Sequence, residues 1–340
     1  MAHDARTEAG GGASPSPGAA GLHVAAGLPA PDFPDPCPIR TADLVRHVGE
    51  HAARRDHRPV RHGVRLARDS QLTAGLRAWA EVLARPDAVL SGRAAAVAHR
   101  HPWTACEPEV LLGGRLPDAP TPGVRGRRRR PAARPIAVTP PLATRPIRLA
   151  APVDVCIDCV AGAPDDASAI AFLDGALRAW GRFGLLDDLH RWTASAPAGA
   201  ARMESLLSRT DVLSESRPES HLRVRLADAG DPGWVPQYRV EAPERTYWLD
   251  LADPVYRIGL EYQGAGHWGG DSGPSASVRA DDARRASDLR ILGWTIIEVT
   301  AHDLWRDFDE LRDRIGQVRR RINAARAHQR TEAMHGRRGW

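Results

Sequence analysis

The sequence predicts an α/β protein whose C-terminal third is built on a mixed sheet, and three observations carry that reading. From Ser214 onward the chain reads as a helix, three strand-like runs, a helix, a fourth strand and a last long helix. The first three strands are separated by short turns, as in a meander, whereas the fourth returns through a helical crossover. The last helix carries Leu304, Phe308, Leu311, Ile315, Val318 and Ile322 on an apolar stripe suited to covering a sheet.

Each element has its own signal. "SRPESHLRVRLADAG" has a proline near its first turn and a glycine at its end, as a helix should. "WVPQYRV" and "RTYWLDLAD" are strand-like, and "YRIGLEYQG" is a third strand that stops at glycine. A Gly/Ser loop leads into the helix "SASVRADDARRASDLRILG", stopped by Gly293, and "WTIIEVT" is expected as a buried strand.

Upstream, residues 1–38 are rich in Ala, Gly, Pro and Ser and are expected to be a disordered tail. Residues 39–115 are expected to form a winged-helix-like region. "TADLVRHVGEHAARR", "LTAGLRAWAEVLARP" and "SGRAAAVAHR" read as helices, and "VRHGVRLARD" as a basic hairpin around Gly63. Residues 116–150, with Arg125 and the run Arg127 to Arg130, read as a basic linker and connecting segment: a solvated charged stretch or a phosphate-binding arm. A helical segment follows over 151–213, the α/β unit over 214–325, and a basic tail over 326–340.

With 340 residues, two domains are expected. The net charge is +5, and all 47 basic residues are arginine. Arginine binds phosphate bidentately, but a GC-rich genome produces the same bias, so the balance permits a nucleic-acid partner without establishing one. Four cysteines in so long a chain exclude a disulfide scaffold. The pair Cys156 and Cys159 in "VDVCIDCVAG" reads as two small buried residues on an apolar helix rather than as half of a metal site. No apolar run has the length of a membrane span and no leader is recognisable, so a cytoplasmic protein with no membrane partner is expected.

The chemistry concentrates at strand ends. Asp250 interrupts an apolar strand, and Glu261 and Gln263, two apart, share one face of the next. If these strands pair, Asp250 and Glu261 can share one divalent cation, with Mg²⁺ or Mn²⁺ as the expected cofactor. Gln263 then orients a water or adds a contact. On the following helix Val278, Asp282, Arg285, Leu289 and Leu292 fall on one stripe. Asp282 and Arg285 are either a structural ion pair or a phosphate-holding pair, with Arg279 a further phosphate candidate. His267, after the strand, is a candidate general base or phosphate contact; the alternative is an exposed loop histidine beside Trp268. "GGDSGPS" at 269–275 resembles a serine-protease motif in spelling, but it leads into a helix and reads as a Gly/Ser loop.

Residues 214–325 resemble the PD-(D/E)XK nuclease superfamily, in the branch related to very-short-patch-repair endonucleases. The matching features are "SRPESHLRVRL", "PQYRV", "LDLADP", "IGLEYQG" with a histidine after it, the Asp282-to-Trp294 pattern and "IIEVTAHDL". The resemblance implies a restriction-endonuclease-like fold with Asp250 and Glu261 as metal ligands. It also implies Glu219 as an accessory acid and Gln263 at the position of the signature lysine. "VRHGVRLAR", "DAVLSGRAAAVAH" and "VDVCIDCVAG" resemble the N-terminal part of proteins that join an AbiEi-antitoxin-like winged helix to this domain. Together these imply a metal-dependent DNA endonuclease acting in repair or phage defence, with DNA as partner and a protein partner or homodimer as a further expectation. The absence of the signature lysine supports an alternative: a non-catalytic, antitoxin-like DNA-binding regulator.

Overall fold

The computed structural model describes residues 31–104, 109–112, 123–128, 135–181, 184–264 and 276–336. The chain opens with β1 (Ile39–Arg40), α1 (Thr41–Val48), α2 (Glu50–Asp56), β2 (His57–Arg61) and β3 (Val64–Ala67). The helix expected over "TADLVRHVGEHAARR" is two helices, because Gly49 takes φ +82° between them. β3 pairs with both β1 and β2 to make a three-stranded sheet.

Then come α3 (Ala74–Ala84), β4 (Val89–Leu90), α4 (Gly92–Ala98), β5 (Glu109–Leu112), β6 (Arg125–Arg128), β7 (Ile136–Val138) and β8 (Ile147–Leu149). These strands form a second sheet in the order β6-β5-β4-β8-β7. The stretch expected as a linker therefore contributes three strands to this sheet. They are only three or four residues long and set among prolines, too short for alternation to stand out in the sequence.

Helices α5 (Pro152–Ala161), α6 (Asp166–Trp180), α7 (Leu185–Ala194) and α8 (Ala200–Leu207) follow. Cys156 and Cys159 are buried in α5, and burial pushes the Cys156 thiol far up, which suits an inert core residue. From α6, Asp174 reaches α9 (Arg217–Asp228), where its fully buried carboxylate accepts from Arg223 at 2.7 Å. The helical segment is thereby tied to the C-terminal unit.

That unit continues with β9 (Val235–Glu241), β10 (Thr246–Asp253), β11 (Ile258–Gln263), α10 (Ala276–Ile291), β12 (Thr295–Thr300), α11 (Ala301–Trp305) and α12 (Phe308–Gly336). The sheet order is β12-β11-β10-β9, with β11 and β12 parallel and the other pairs antiparallel. It is a mixed sheet between two helical layers. On one face Leu251, Ile258, Leu260 and Val299 pack with Leu222 of α9 and Leu311 and Ile315 of α12. On the other, Val240, Tyr247, Leu249 and Ala252 pack with Leu289 of α10. β12 is an edge strand, and only Val299 of it is fully buried, where a buried strand was expected. Arg319 pins α12 to the sheet through Asp231 at 2.8 Å and Asp253 at 2.6 Å, beneath the rings of Trp234 and Tyr256. Among the described residues no helix is long and apolar enough to cross a membrane.

Candidate functional site

β10 and β11 pair from Leu251–Asp253 to Ile258–Leu260, with Leu251 opposite Leu260. One step further along the same register, Asp250 stands opposite Glu261. There the ladder gives way: Asp250 Oδ2 accepts the backbone N–H of Tyr262 at 2.8 Å, in place of a strand carbonyl. The neighbours of Asp250 mark the same distortion. Leu249 packs on the α10 side of the sheet and Leu251 on the α9 side, although residues two apart should share a face. On the partner strand β9, Gln237 adopts φ +46°, a left-handed conformation unusual for a residue with a Cβ. The β9–β10 register on either side places Gln237 opposite Asp250. The sheet is therefore deformed on both sides of Asp250, and side chains from both helical layers, Glu219 of α9 and Arg285 of α10, reach toward it.

Glu219 comes from the first turn of α9, which Ser216 caps by accepting the Glu219 N–H at 3.3 Å. Its side chain is buried, accepts the Glu215 N–H at 2.9 Å and accepts Gln237 Nε2 at 3.2 Å. Burial raises its pKa above the usual carboxylate value, and the charge of Asp250 adds to the rise. Glu261, from β11, is raised for the same first reason; Arg285 opposes the rise, while Asp250 and Glu298 reinforce it. Glu298 stands beside Glu261 in the parallel register of β11 and β12.

Arg285 enters from α10. Its Nη2 donates to Glu261 Oε1 and, at 2.8 Å, to the carbonyl of Trp248. Its Nε is buried and without a hydrogen-bond partner among the described residues, so one donor of the fork is unused.

The structure thus gathers Asp250, Glu261, Glu219 and Arg285 at one place, with Gln263 half-buried at the end of β11. Asp282 is a correction. It is exposed rather than on the inward stripe, and Arg285 pairs with Glu261 instead of with it. The acid of α10 that faces the sheet is Asp288, which accepts the Tyr247 hydroxyl at 2.6 Å. Arg279 falls within α10 but its side chain lies outside the described residues, as do His267, Trp268 and the Gly/Ser loop.

Gln237 and Glu298 were not singled out from the sequence. Gln237 had one signal, an amide between a proline and a tyrosine in mid-strand. Glu298 had none, because an acid on an edge strand normally faces water.

The donors suit a hard divalent cation. All are carboxylate oxygens, and Asp250 disfavours the charge of both Glu219 and Glu261, a repulsion that a cation relieves. Among the described residues no group of three or more His, Cys, Asp or Glu side chains is arranged to hold a metal ion. An ion here would rest on Asp250 and Glu261 and complete its shell from water and substrate phosphate, as Mg²⁺ commonly does.

No family model matches the chain, and no solved structure matches it. Two curated proteins from two strains of Mycobacterium tuberculosis, each named only as an uncharacterized protein, are 32% identical to it over 120 residues. The match covers 35% of this chain and 42% of each relative, so the chain spans less than half the length of the curated relatives it matches.

Proposed function

We propose that residues 214–325 are a restriction-endonuclease-like domain that hydrolyses phosphodiester bonds in DNA with Mg²⁺ or Mn²⁺, in the cytoplasm, behind a winged-helix-like N-terminal region. The observation that carries the reading is the placement of Asp250 and Glu261 at opposed positions where β10 and β11 part, with Glu219 reaching in from α9. Asp250 and Glu261 hold the ion, which when bound polarises the phosphoryl oxygen and lowers the pKa of its water. Arg285 turns its unused Nε, and the Nη2 it now shares with Glu261, toward the scissile phosphate. Gln237 fixes Glu219, and the amide of Gln263 orients the attacking water.

A second reading is favoured by two features. Arg285 already neutralises Glu261, and Gln263 supplies no cation where the nuclease signature has lysine. On that reading the protein is a DNA-binding regulator without turnover.

The test is nicking of supercoiled plasmid by the full chain with Mg²⁺ or Mn²⁺, alongside Asp250→Asn. Nicking that falls roughly 100-fold or more in the variant, the scale of one lost electrostatic contact in a transition state, supports the nuclease. Wild-type protein that binds DNA in a salt-sensitive way yet nicks none supports the regulator, and full activity in Asp250→Asn removes the site.

A further inference from the structure

We propose that the C-terminal part of α12, from Arg320 to Arg330, is a second nucleic-acid contact, a basic helix face that lies in the major groove of duplex DNA. The packed part of α12 ends at Ile322, the last residue of its apolar stripe that touches the core. From Asn323 to Thr331 every residue is exposed. Between Arg314 and Thr331 the sequence holds six arginines and no acid. Two of these have carboxylate partners: Arg314 pairs with Asp303 at 3.2 Å, and Arg319 with Asp231 and Asp253. Arg326 lies over the Tyr256 ring and donates to the Val255 carbonyl at 2.8 Å. Arg320, Arg321 and Arg330 are exposed and have no carboxylate partner among the described residues.

Beyond Ile322 the helix buries no large apolar side chain, and Arg326 and Arg330 stand at i,i+4, a spacing at which like charges repel. A polyanion would turn that repulsion into attraction. The placement of the cations fits a groove: at about 100° per residue, Arg321 and Arg330 lie on opposite flanks, with Arg320 between them on the outward side. A helix in the roughly 12 Å major groove of B-DNA meets phosphates on both flanks in this way.

A lipid surface fits less well. An interfacial helix needs large apolar residues opposite its charges, and between Ile322 and Thr331 the apolar residues are Ala324, Ala325 and Ala327 alone.

The surface is separate from the carboxylate site. Arg319 and Arg326 meet Asp253 and Val255, at the turn end of β10 and β11, whereas Asp250, Glu261 and Gln263 lie toward the other end. The inference therefore stands whether or not the carboxylates hydrolyse DNA, and binding without metal tests it alone.

The experiment compares the full chain with Arg320→Gln/Arg321→Gln/Arg330→Gln and with the same three positions changed to Lys. Binding to a fluorescent DNA duplex is measured in EDTA across a salt series, with thermal melting as the control for folding. Each lost phosphate contact should lower the slope of log affinity against log salt by about 0.9, so the glutamine triple should lose roughly 2 to 3 and the lysine triple little. An unchanged slope in a folded glutamine triple overturns the proposal. So does loss of binding to phosphatidylserine vesicles in that triple while duplex binding is kept. An equal loss of affinity for duplex RNA, whose major groove is too deep and narrow for a helix, removes the groove geometry.

Discussion

Gly259 offers a direct test of the packing that positions Glu261, which follows it by two residues on β11. A methyl group at Gly259 would lie 2.7 Å from Ile296 Cδ1 and 3.0 Å from Leu249 Cδ1, inside contact distance for both. Overpacking of this kind costs about 1–3 kcal/mol, and the loss of backbone entropy that favours Ala over Gly in the unfolded chain returns only about 0.4–1. Gly259→Ala should thus destabilise the protein by roughly 1–2 kcal/mol. Ile296→Val removes the offending Cδ1 and, at a half-buried position, should by itself cost about 0.5–1 kcal/mol. If Cδ1 is the obstacle, the double variant is more stable than the sum of the singles by about 1 kcal/mol, well above the error of additivity for independent sites. Urea unfolding of the four proteins measures this, and nicking or binding by the same four reports whether Glu261 moves with its strand. Additive singles would refute the reasoning, since Ile296 would then have stepped aside without strain.

Two further predictions concern pH. Glu261 is raised above its ordinary 4.5 by burial first, so its contribution to stability is full below that pH and is lost as pH rises through the folded value. Glu261→Gln, which keeps an acceptor for Arg285 but does not titrate, should melt higher than wild type at pH 7 and no higher at pH 4; a gain equal at both pH values would contradict the burial argument. His101 is held neutral, with Nδ1 accepting the Trp103 N–H at 3.2 Å and Nε2 against the Phe172 carbonyl at 3.0 Å, and burial pulls it from 6.5 to about 4. Its folded value is depressed, so stability present above pH 6.5 is lost as pH falls toward 4, by roughly 3 kcal/mol at most. His101→Gln should flatten that part of the melting-temperature profile, and an unchanged profile would show that other groups set the acid limit.

The elements of the C-terminal unit were legible because each obeys a local rule. The Ser216 cap and Pro218 start α9, Gly293 at φ +79° ends α10, and the stripe from Leu311 to Ile315 covers a sheet face. Asp250 and Glu261 were legible because a carboxylate in an apolar strand needs a reason. What the sequence hid is set by pairing rather than pattern. Strands as short as Ile136–Val138 gain their stability from neighbours in the sheet, so a proline-bounded triplet reads as linker. Asp282 was misplaced because, among the described side chains of α10, those from Arg285 to Leu289 form a narrow inward edge that stops short of it.

The charge balance bears on the two readings of the site. Glu219, Asp250 and Glu261 converge with Arg285 as the one basic side chain described among them, and Glu298 stands on the next strand. Asp250 makes both Glu219 and Glu261 harder to ionise and Glu298 adds to the effect on Glu261, so the cluster is a standing loss of stability at neutral pH. A protein that only bound DNA would gain nothing from it, because phosphates approaching these acids are repelled. A lysine at position 263 would relieve part of the loss; Gln263 leaves it unrelieved. The residue that counts against catalysis by the family pattern therefore strengthens the electrostatic demand for a divalent ion, and it is the acids rather than the missing lysine that weigh in favour of the nuclease.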